Sequence, residues 1–330
     1  MASKKGKQTI VFTCKPVIIG YSTVAGPKEG QGPVGPYFDK IYPDITIGQE
    51  SFEKAERQMM VNAINTALEK ASISRNMVDC FISGDLLNQI ITSGFSALDL
   101  AAPFLGIYGA CSSFCEGLIV GGILVDSGAA QVVVTATSSH NNTAERQYRY
   151  PTEYGAQVPP WSQHTVTGAA STVLAVRGTG PTLELATIGK VMDLGIKDPL
   201  NMGAAMAPAA ADTIFTHLED TGRKPGDYDL IVTGDLGKIG REILVELAQR
   251  QGYDLSGNYR DCGELIYSKE QLENAGGSGC ACSPLVTLGM LFNQNYKRIL
   301  VAATGALHSP TSYQQGDNIP AIAHAVSIEF

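Results

Sequence analysis

Long apolar runs are missing from this 330-residue chain. Its longest strongly apolar stretch, Gly117–Val125, is closed by Asp126, and a bilayer span takes roughly 20 such residues. The opening Met1–Gln8 places Lys4, Lys5 and Lys7 ahead of any apolar segment, so no secretory signal is expected. The chain reads as a cytoplasmic-type soluble protein, able to touch a membrane only as a peripheral partner, with those three lysines read as a solvated tail in preference to a contact with anionic lipid. Positive charge is scarce too: 24 Lys and Arg against 32 Asp and Glu give a net charge of −8, which excludes a general nucleic-acid binder with a basic face. Paired C-x2-C ligand sets are absent. Cys14, Cys80, Cys111, Cys115, Cys262, Cys280 and Cys282 are odd in number and irregular in spacing. That argues against a zinc centre and for free thiols in a reducing compartment. No metal and no cofactor is expected.

What is present is ample core material, 44% hydrophobic against 17% charged residues, in a length that suits two domains or one duplicated one. The duplication is visible. Ile64–Leu86 aligns without gaps on Ile214–Leu236, so that Ile64, Leu68, Glu69, Asp79 and Ser83-Gly-Asp-Leu86 recur as Ile214, Leu218, Glu219, Asp229 and Thr233-Gly-Asp-Leu236. A second block pairs Cys115, Leu118, Gly122 and Val132–Thr137 with Cys282, Leu285, Gly289 and Ile299–Thr304. The offset grows from 150 to 167, which places 17 extra residues in the second half, near Tyr253–Gln271. Each copy reads as helix, turn and buried strand, so the expected architecture is α/β with two pseudo-symmetric halves, 1–180 and 181–330. The polar, aromatic stretch Ser139–Ser162 (Tyr148, Tyr150, Pro151, Tyr154, Trp161) reads as a long excursion between strands.

The sharpest chemical feature is Tyr108-Gly-Ala-Cys-Ser-Ser-Phe-Cys-Glu-Gly117. A strand at Phe104–Ile107 meets a tight turn and then an apolar helix starting near Cys111. A cysteine at a helix N-terminus meets unpaired N–H groups and the positive dipole end, which favour the thiolate used in acyl transfer. The competing reading is a small buried cysteine packed at a helix start. Gly234–Gly240 lacks the spacing and the Ser/Thr of a phosphate loop, and Gly276-Gly-Ser-Gly279 lacks the spacing of a serine nucleophile elbow.

Gly109-Ala-Cys111-Ser-Ser-Phe114 resembles the nucleophile turn of the thiolase and ketoacyl-synthase superfamily. Thr167-Gly-Ala-Ala-Ser-Thr-Val-Leu174 and Asn274-Ala-Gly-Gly-Ser-Gly279 resemble its glycine-alanine strand and its asparagine-glycine turn. The implied fold is thiolase-like, duplicated αβαβα layers. Taken whole, with Thr23-Val-Ala-Gly-Pro27 and Val34-Gly-Pro-Tyr-Phe-Asp39, the chain is similar to a family of bacterial sporulation proteins within that superfamily. What this implies is a dipicolinic acid (or calcium dipicolinate) binding protein that assists uptake into the developing spore without catalysis. It also implies a place at the periphery of the forespore or spore inner membrane, among the other proteins of a spore channel assembly, and a homodimer. The alternative is a ketoacyl-synthase-like acyltransferase with Cys111 as nucleophile.

The sequence departs from the enzymes of the superfamily. Where they carry a polarising histidine, the second-half repeat reads Thr233-Gly-Asp-Leu-Gly237, and an ionised Asp235 cannot donate a hydrogen bond. Asn274 is kept. Of His140, His164, His217, His308 and His324, His308 is the one placed by the resemblance on the loop beside Cys111. His217 and His324 read as structural. A planar aromatic dianion asks for cationic or N–H-rich grips and a flat wall. The expected ligand-binding set is Tyr108, Cys111, Ser112, Asp235, Lys238, Asn274, Gly277 and His308. Arg146, Arg149 and Arg241 are further cations, and Asp85 joins Asp235 as a candidate calcium ligand.

Overall fold

A computed structural model describes residues 2–148, 158–271 and 273–330. Ten of its strands form the framework. The first half supplies β1 Val17–Ala25, β2 Cys80–Gly84, β3 Phe104–Gly106, β4 Val132–Ser139 and β5 Gly168–Ala175. The second supplies β6 Thr182–Thr187, β7 Leu230–Thr233, β8 Tyr259–Asp261, β9 Arg298–Ala306 and β10 Ala321–Glu329. They lie in the order β8-β7-β9-β10-β6-β1-β5-β4-β2-β3. Read outward from the middle, each half runs first, last, fourth, second, third. The inner pairs are antiparallel and the outer pairs parallel in both halves. β1 and β6 meet at one residue pair, Val17 with Thr182.

The helices complete the layers: α1 Phe52–Ala71, α2 Ile91–Leu100, α3 Ser113–Ser127, α4 Asn141–Tyr148, α5 Met202–Thr221 and α6 Gly237–Arg250. Ser51 starts α1, its hydroxyl accepting from the Lys54 N–H at 3.3 Å, the usual way to satisfy one orphan donor. α1 then lays Met59, Met60 and Ile64 on Val134 and Val173 of the first sheet. α5 lays Met206, Ala210 and Ile214 on Ile231, Leu300 and Ala325 of the second. Between the sheets lie α3 and the helix that begins at Cys282. Phe114, Leu118 and Ile119 from one, and Leu285, Val286 and Leu288 from the other, share a core with Val133, Leu174, Val301 and Val326. The result is the thiolase-like sequence of layers, αβαβα.

A largely apolar helix must be largely buried, and α3 is, with Ile123 and Leu124 half-buried and Ser127 exposed at its end. Ala110–Ser127 is long and apolar enough to cross a membrane by composition; in this fold it is the central helix of the molecule. Its neighbours come close enough to require glycine: a Cβ on Gly122 would lie 2.8 Å from the Phe12 ring, and one on Gly121 2.9 Å from Leu174. The second-half counterpart is wound differently, with a π-helical stretch over Leu285–Met290.

Three local features go beyond the sequence pattern. The excursion after β4 is not all loop, because α4 occupies Asn141–Tyr148. β1 and α2 are elements that the sequence pattern did not announce. Most of the extra chain of the second half follows β8, where a short helix, Cys262–Leu265, and the two-residue strand Gly277–Ser278, paired with His164–Thr165, lie.

Candidate functional site

The turn after β3 is built by its own hydroxyls. Ser112 Oγ donates to the Gly109 carbonyl at 2.6 Å, and Ser113 Oγ donates to the Ala110 carbonyl at 2.8 Å. Ser113 Oγ also accepts from the Gly109 N–H at 3.1 Å. Ala110 takes a φ of +49°, the left-handed region that costs a residue with a Cβ about 1 kcal/mol or more. Such strain persists where the surroundings over-determine it. Here the backbone of β9 closes on the turn: a Cβ on Gly305 would lie 2.1 Å from the Gly109 oxygen.

Cys111 is thereby held in the interior, facing the second half of the chain. Its Sγ lies 4.0 Å from Ser278 Oγ. Ser278 Oγ donates to Asp235 Oδ2 at 2.8 Å, and the Gly279 N–H donates to the same oxygen at 3.1 Å. Thr304 Oγ1 donates to Asp235 Oδ1 at 2.6 Å. Burial pushes the Asp235 carboxyl up against the pull of these hydrogen bonds. Burial, and then the Asp235 carboxylate, push the Cys111 thiol well above its ordinary value. This favours the reading of a small buried cysteine over that of a thiolate. The helix N-terminus is present, but a desolvated sulfur beside a carboxylate keeps its proton.

Asp235 and its repeat mate Asp85 do different work. Asp85 takes the Leu87 N–H at 3.0 Å and the Ser93 N–H at 2.8 Å, closing the start of α2. In the second half Asp261 has that duty. It accepts from the Leu236 N–H at 2.9 Å, the Gly237 N–H at 2.8 Å and Thr233 Oγ1 at 2.6 Å. Burial pushes its carboxyl up to about 7. Asp235 is released to face Cys111. Both Asp85 and Asp235 are buried among donors, which corrects their reading as calcium ligands. Among the described residues no three His, Cys, Asp or Glu side chains gather as metal ligands.

Above Cys111 lies a cavity of about 30 Å³ walled by Tyr108, Tyr148, Met202, Ser278 and His308, with Glu145 at its margin. Tyr108 and Tyr148 join their hydroxyls at 3.1 Å, and Tyr148 donates to the Leu86 carbonyl at 2.5 Å. Burial pushes both phenols up. The His308 ring centre is 5.2 Å from that of Tyr148.

The expected site set divides. Tyr108, Cys111 and His308 line the cavity, and Asp235 lies beneath it. Ser112 is adjacent, but its hydroxyl is spent on the turn. Asn274 and Lys238 are not brought to Cys111. They line a separate outer pocket of about 440 Å³ with Glu264, Tyr267, Lys269 and Glu273, where Lys238 Nζ donates to the Asn274 carbonyl at 3.0 Å. Gly277 sits in the strand between the two, its carbonyl accepting from Gln163 Nε2 at 2.9 Å. The candidate cations also point elsewhere: Arg146 pairs with Glu53, and Arg241 with Glu264 at 3.2 Å. Arg149, Tyr150, Pro151 and Tyr154 lie outside the described residues. His217 is clamped between Thr187 and Tyr228, and burial pushes it down to about 3. His324 accepts from the Gly189 N–H at 3.2 Å and is pushed down to about 4 by burial. Both are structural in this geometry.

Tyr148, Met202 and Thr304 complete the site without having been singled out for it, beside Ser278, whose turn was expected to face the same crevice as Cys111. Tyr148 was visible as part of an aromatic, cationic run. The others are ordinary residues that distant chain segments bring together.

Residues 6–329 match the family described as stage V sporulation protein AD. The chain is 48% identical to the stage V sporulation protein AD of Bacillus subtilis (strain 168), over 98% of this chain and 97% of that one. Among solved structures it is similar to 3-oxoacyl-(acyl-carrier-protein) synthase III of Aquifex aeolicus VF5. The TM-score is 0.61 at 15% identity, over 96% of this chain and 100% of that one. It is also similar to cerulenin-bound OleA of Xanthomonas campestris, with TM-score 0.61 at 16% identity, over 97% and 98% of the two chains. At those identities the likeness is one of fold.

Proposed function

Since the chain belongs to the stage V sporulation protein AD family, we propose that it binds dipicolinic acid, with calcium, and assists its uptake into the developing spore without catalysis. The observation that carries this reading is an aromatic-walled cavity whose buried Cys111 lies beside Ser278 and the Asp235 carboxyl. Tyr108, Tyr148 and His308 offer aromatic walls, the last two tilted 57° to each other, while burial and Asp235 hold the Cys111 thiol above its ordinary value, against the ionised sulfur that acyl transfer requires. Asp235 beneath the cavity and Glu145 at its margin disfavour a free dianion by like-charge repulsion. Calcium offsets the charge of the ligand, so the chelate is the better guest. A cavity of about 30 Å³ holds one or two waters, so this reading requires Tyr148 and His308 to open around the planar ligand.

Calorimetric titration with dipicolinate tests this. We expect one saturable site, tighter in the presence of calcium, and weakened about tenfold in His308→Ala, the cost of one charge-assisted hydrogen bond. No heat with or without calcium sinks the binding reading. An acyl-thioester trapped on Cys111 would then establish the acyltransferase instead.

The same proposal includes self-association and a place among membrane partners. β3 is the last strand of its sheet, and its Leu105 is exposed together with Ile91, Phe95 and Leu98 of α2. An apolar, unpaired edge is a surface for strand pairing, and a second copy of the chain meets it symmetrically. Light scattering should give a dimer at about 10 μM, an ordinary working range for a stable interface. The Leu98→Asp/Leu105→Asp variant should be monomeric. A monomeric unsubstituted protein would overturn the dimer.

A further inference from the structure

The N-terminal hairpin, Ser3–Lys5 paired with Thr9–Val11, stands over a groove of about 750 Å³. The floor of the groove is apolar: Ala2, Ile10, Ile123 and Ile188. Its rim carries Lys4, Lys7 and Lys190, with exposed Lys5 on the same hairpin. Two carboxylates are close. Asp212 lies 3.6 Å from Lys190 Nζ, and Asp220 accepts the backbone N–H groups of Lys7, Gln8 and Thr9. Four lysines against two acids make a local positive excess on a chain whose net charge is −8. Ile188 is 43% exposed, and Val191 and Leu194, farther along the segment leaving the groove, are 55% and 67% exposed.

We infer that this hairpin face docks on an anionic lipid surface, the lysines meeting headgroup phosphates and the isoleucine floor taking the first methylenes of a lipid chain. An apolar floor with a basic rim is the composition of an interfacial lipid contact, and juxtaposed lysines strengthen it in proportion to the anionic lipid present. The inference rests on the membrane-peripheral part of the proposed function and gives it a location: hairpin toward the bilayer.

The test is co-sedimentation of the full chain with vesicles of about 30% phosphatidylglycerol in phosphatidylcholine, a surface of moderate negative potential. Binding is expected there, absent on pure phosphatidylcholine, and reduced between about 0.05 and 0.5 M salt as screening shortens. Lys4→Glu/Lys7→Glu should weaken it by about 25-fold, at roughly fivefold per lysine. Ile188→Ser should weaken it without changing the salt dependence. Lys54→Glu, on α1, should leave it unchanged. Equal binding to both vesicles, or anionic binding indifferent to the double substitution, overturns the inference. So does displacement by millimolar glycerol 3-phosphate, which would mark a site for a free phosphate. Dipicolinate titration of the double variant should match the unsubstituted protein. Vesicle binding that fails while dipicolinate binding holds overturns this surface alone. Dipicolinate binding that fails in the unsubstituted protein overturns the proposed function alone.

Discussion

Gly305→Ala is expected to cost about 3 kcal/mol of stability, the upper range for forcing an atom into a packed interior, and to abolish ligand binding with it. The added Cβ would stand 2.1 Å from the Gly109 oxygen, 3.0 Å from the Ser112 nitrogen and 3.2 Å from the Cys111 nitrogen. All three are backbone atoms, so no side chain can rotate aside. The turn has no slack to give, because Ala110 already holds a φ of +49°. Either β9 moves off the turn or the turn unwinds. Gly94→Ala is the control. It lies inside α2 with nothing within 4 Å of its Cβ, and should gain about 0.5–1 kcal/mol from helix propensity. Urea midpoints of the two variants decide the matter. A Gly305→Ala protein as stable as its parent would show that β9 and the turn are not in contact as described.

Asp235→Asn is expected to make Cys111 reactive at lower pH. Asparagine keeps the shape. Its oxygen still accepts from Ser278 and Gly279, and its amide donates to Thr304, whose hydroxyl can turn to accept. What is lost is the charge that helps hold the thiol well above its ordinary value. The sign follows directly: removing a nearby negative charge stabilises the thiolate, so the thiol pKa falls and the alkylation profile moves toward lower pH. Burial is the larger cause and remains, so the move is partial. We expect roughly tenfold faster iodoacetamide labelling of Cys111 at a fixed pH between 8 and 9, equivalent to about one pKa unit. Peptide mapping separates Cys111 from the buried Cys115 and Cys280. An unchanged profile would mean that Asp235 does not govern the sulfur. Asp235→Ala, by contrast, strands the Ser278 and Thr304 hydroxyls and the Gly279 N–H without a partner, and should be destabilised by about 3 kcal/mol.

The duplication could be read in advance because it is written locally. Ile64, Leu68, Ile214 and Leu218 repeat a helical face, and Val132–Thr137 and Ile299–Thr304 repeat a buried strand. Cys111 could be read for the same reason, since a turn and the start of an apolar helix are adjacent in sequence. The division of labour between Asp235 and Asp261 could not. Asp261 is a single acid at the end of β8, where the matching strand β3 ends in Gly106, and its donors at Leu236 and Gly237 lie 24 or more residues away. The two readings of Cys111 could not be separated because a helix N-terminus is a local signal, whereas burial under β9 and the approach of Asp235 come from the far half of the chain. Asn274 and Lys238 were grouped with Cys111 by motif, but the turn from Asn274 to Gly279 runs inward, and only its inner end reaches the cavity.

The middle layer gives the molecule a further property. α3 and the Cys282 helix belong to different halves, yet each lies against strands of both sheets. Neither half encloses an interior by itself. If the chain were severed between β5 and β6, each fragment would present one bare sheet face and one helix with half its surroundings gone. The ancestral unit therefore cannot be recovered by dissection: what was once two copies has become a single cooperative object, and neither half is free to be lost, swapped or lent to another protein.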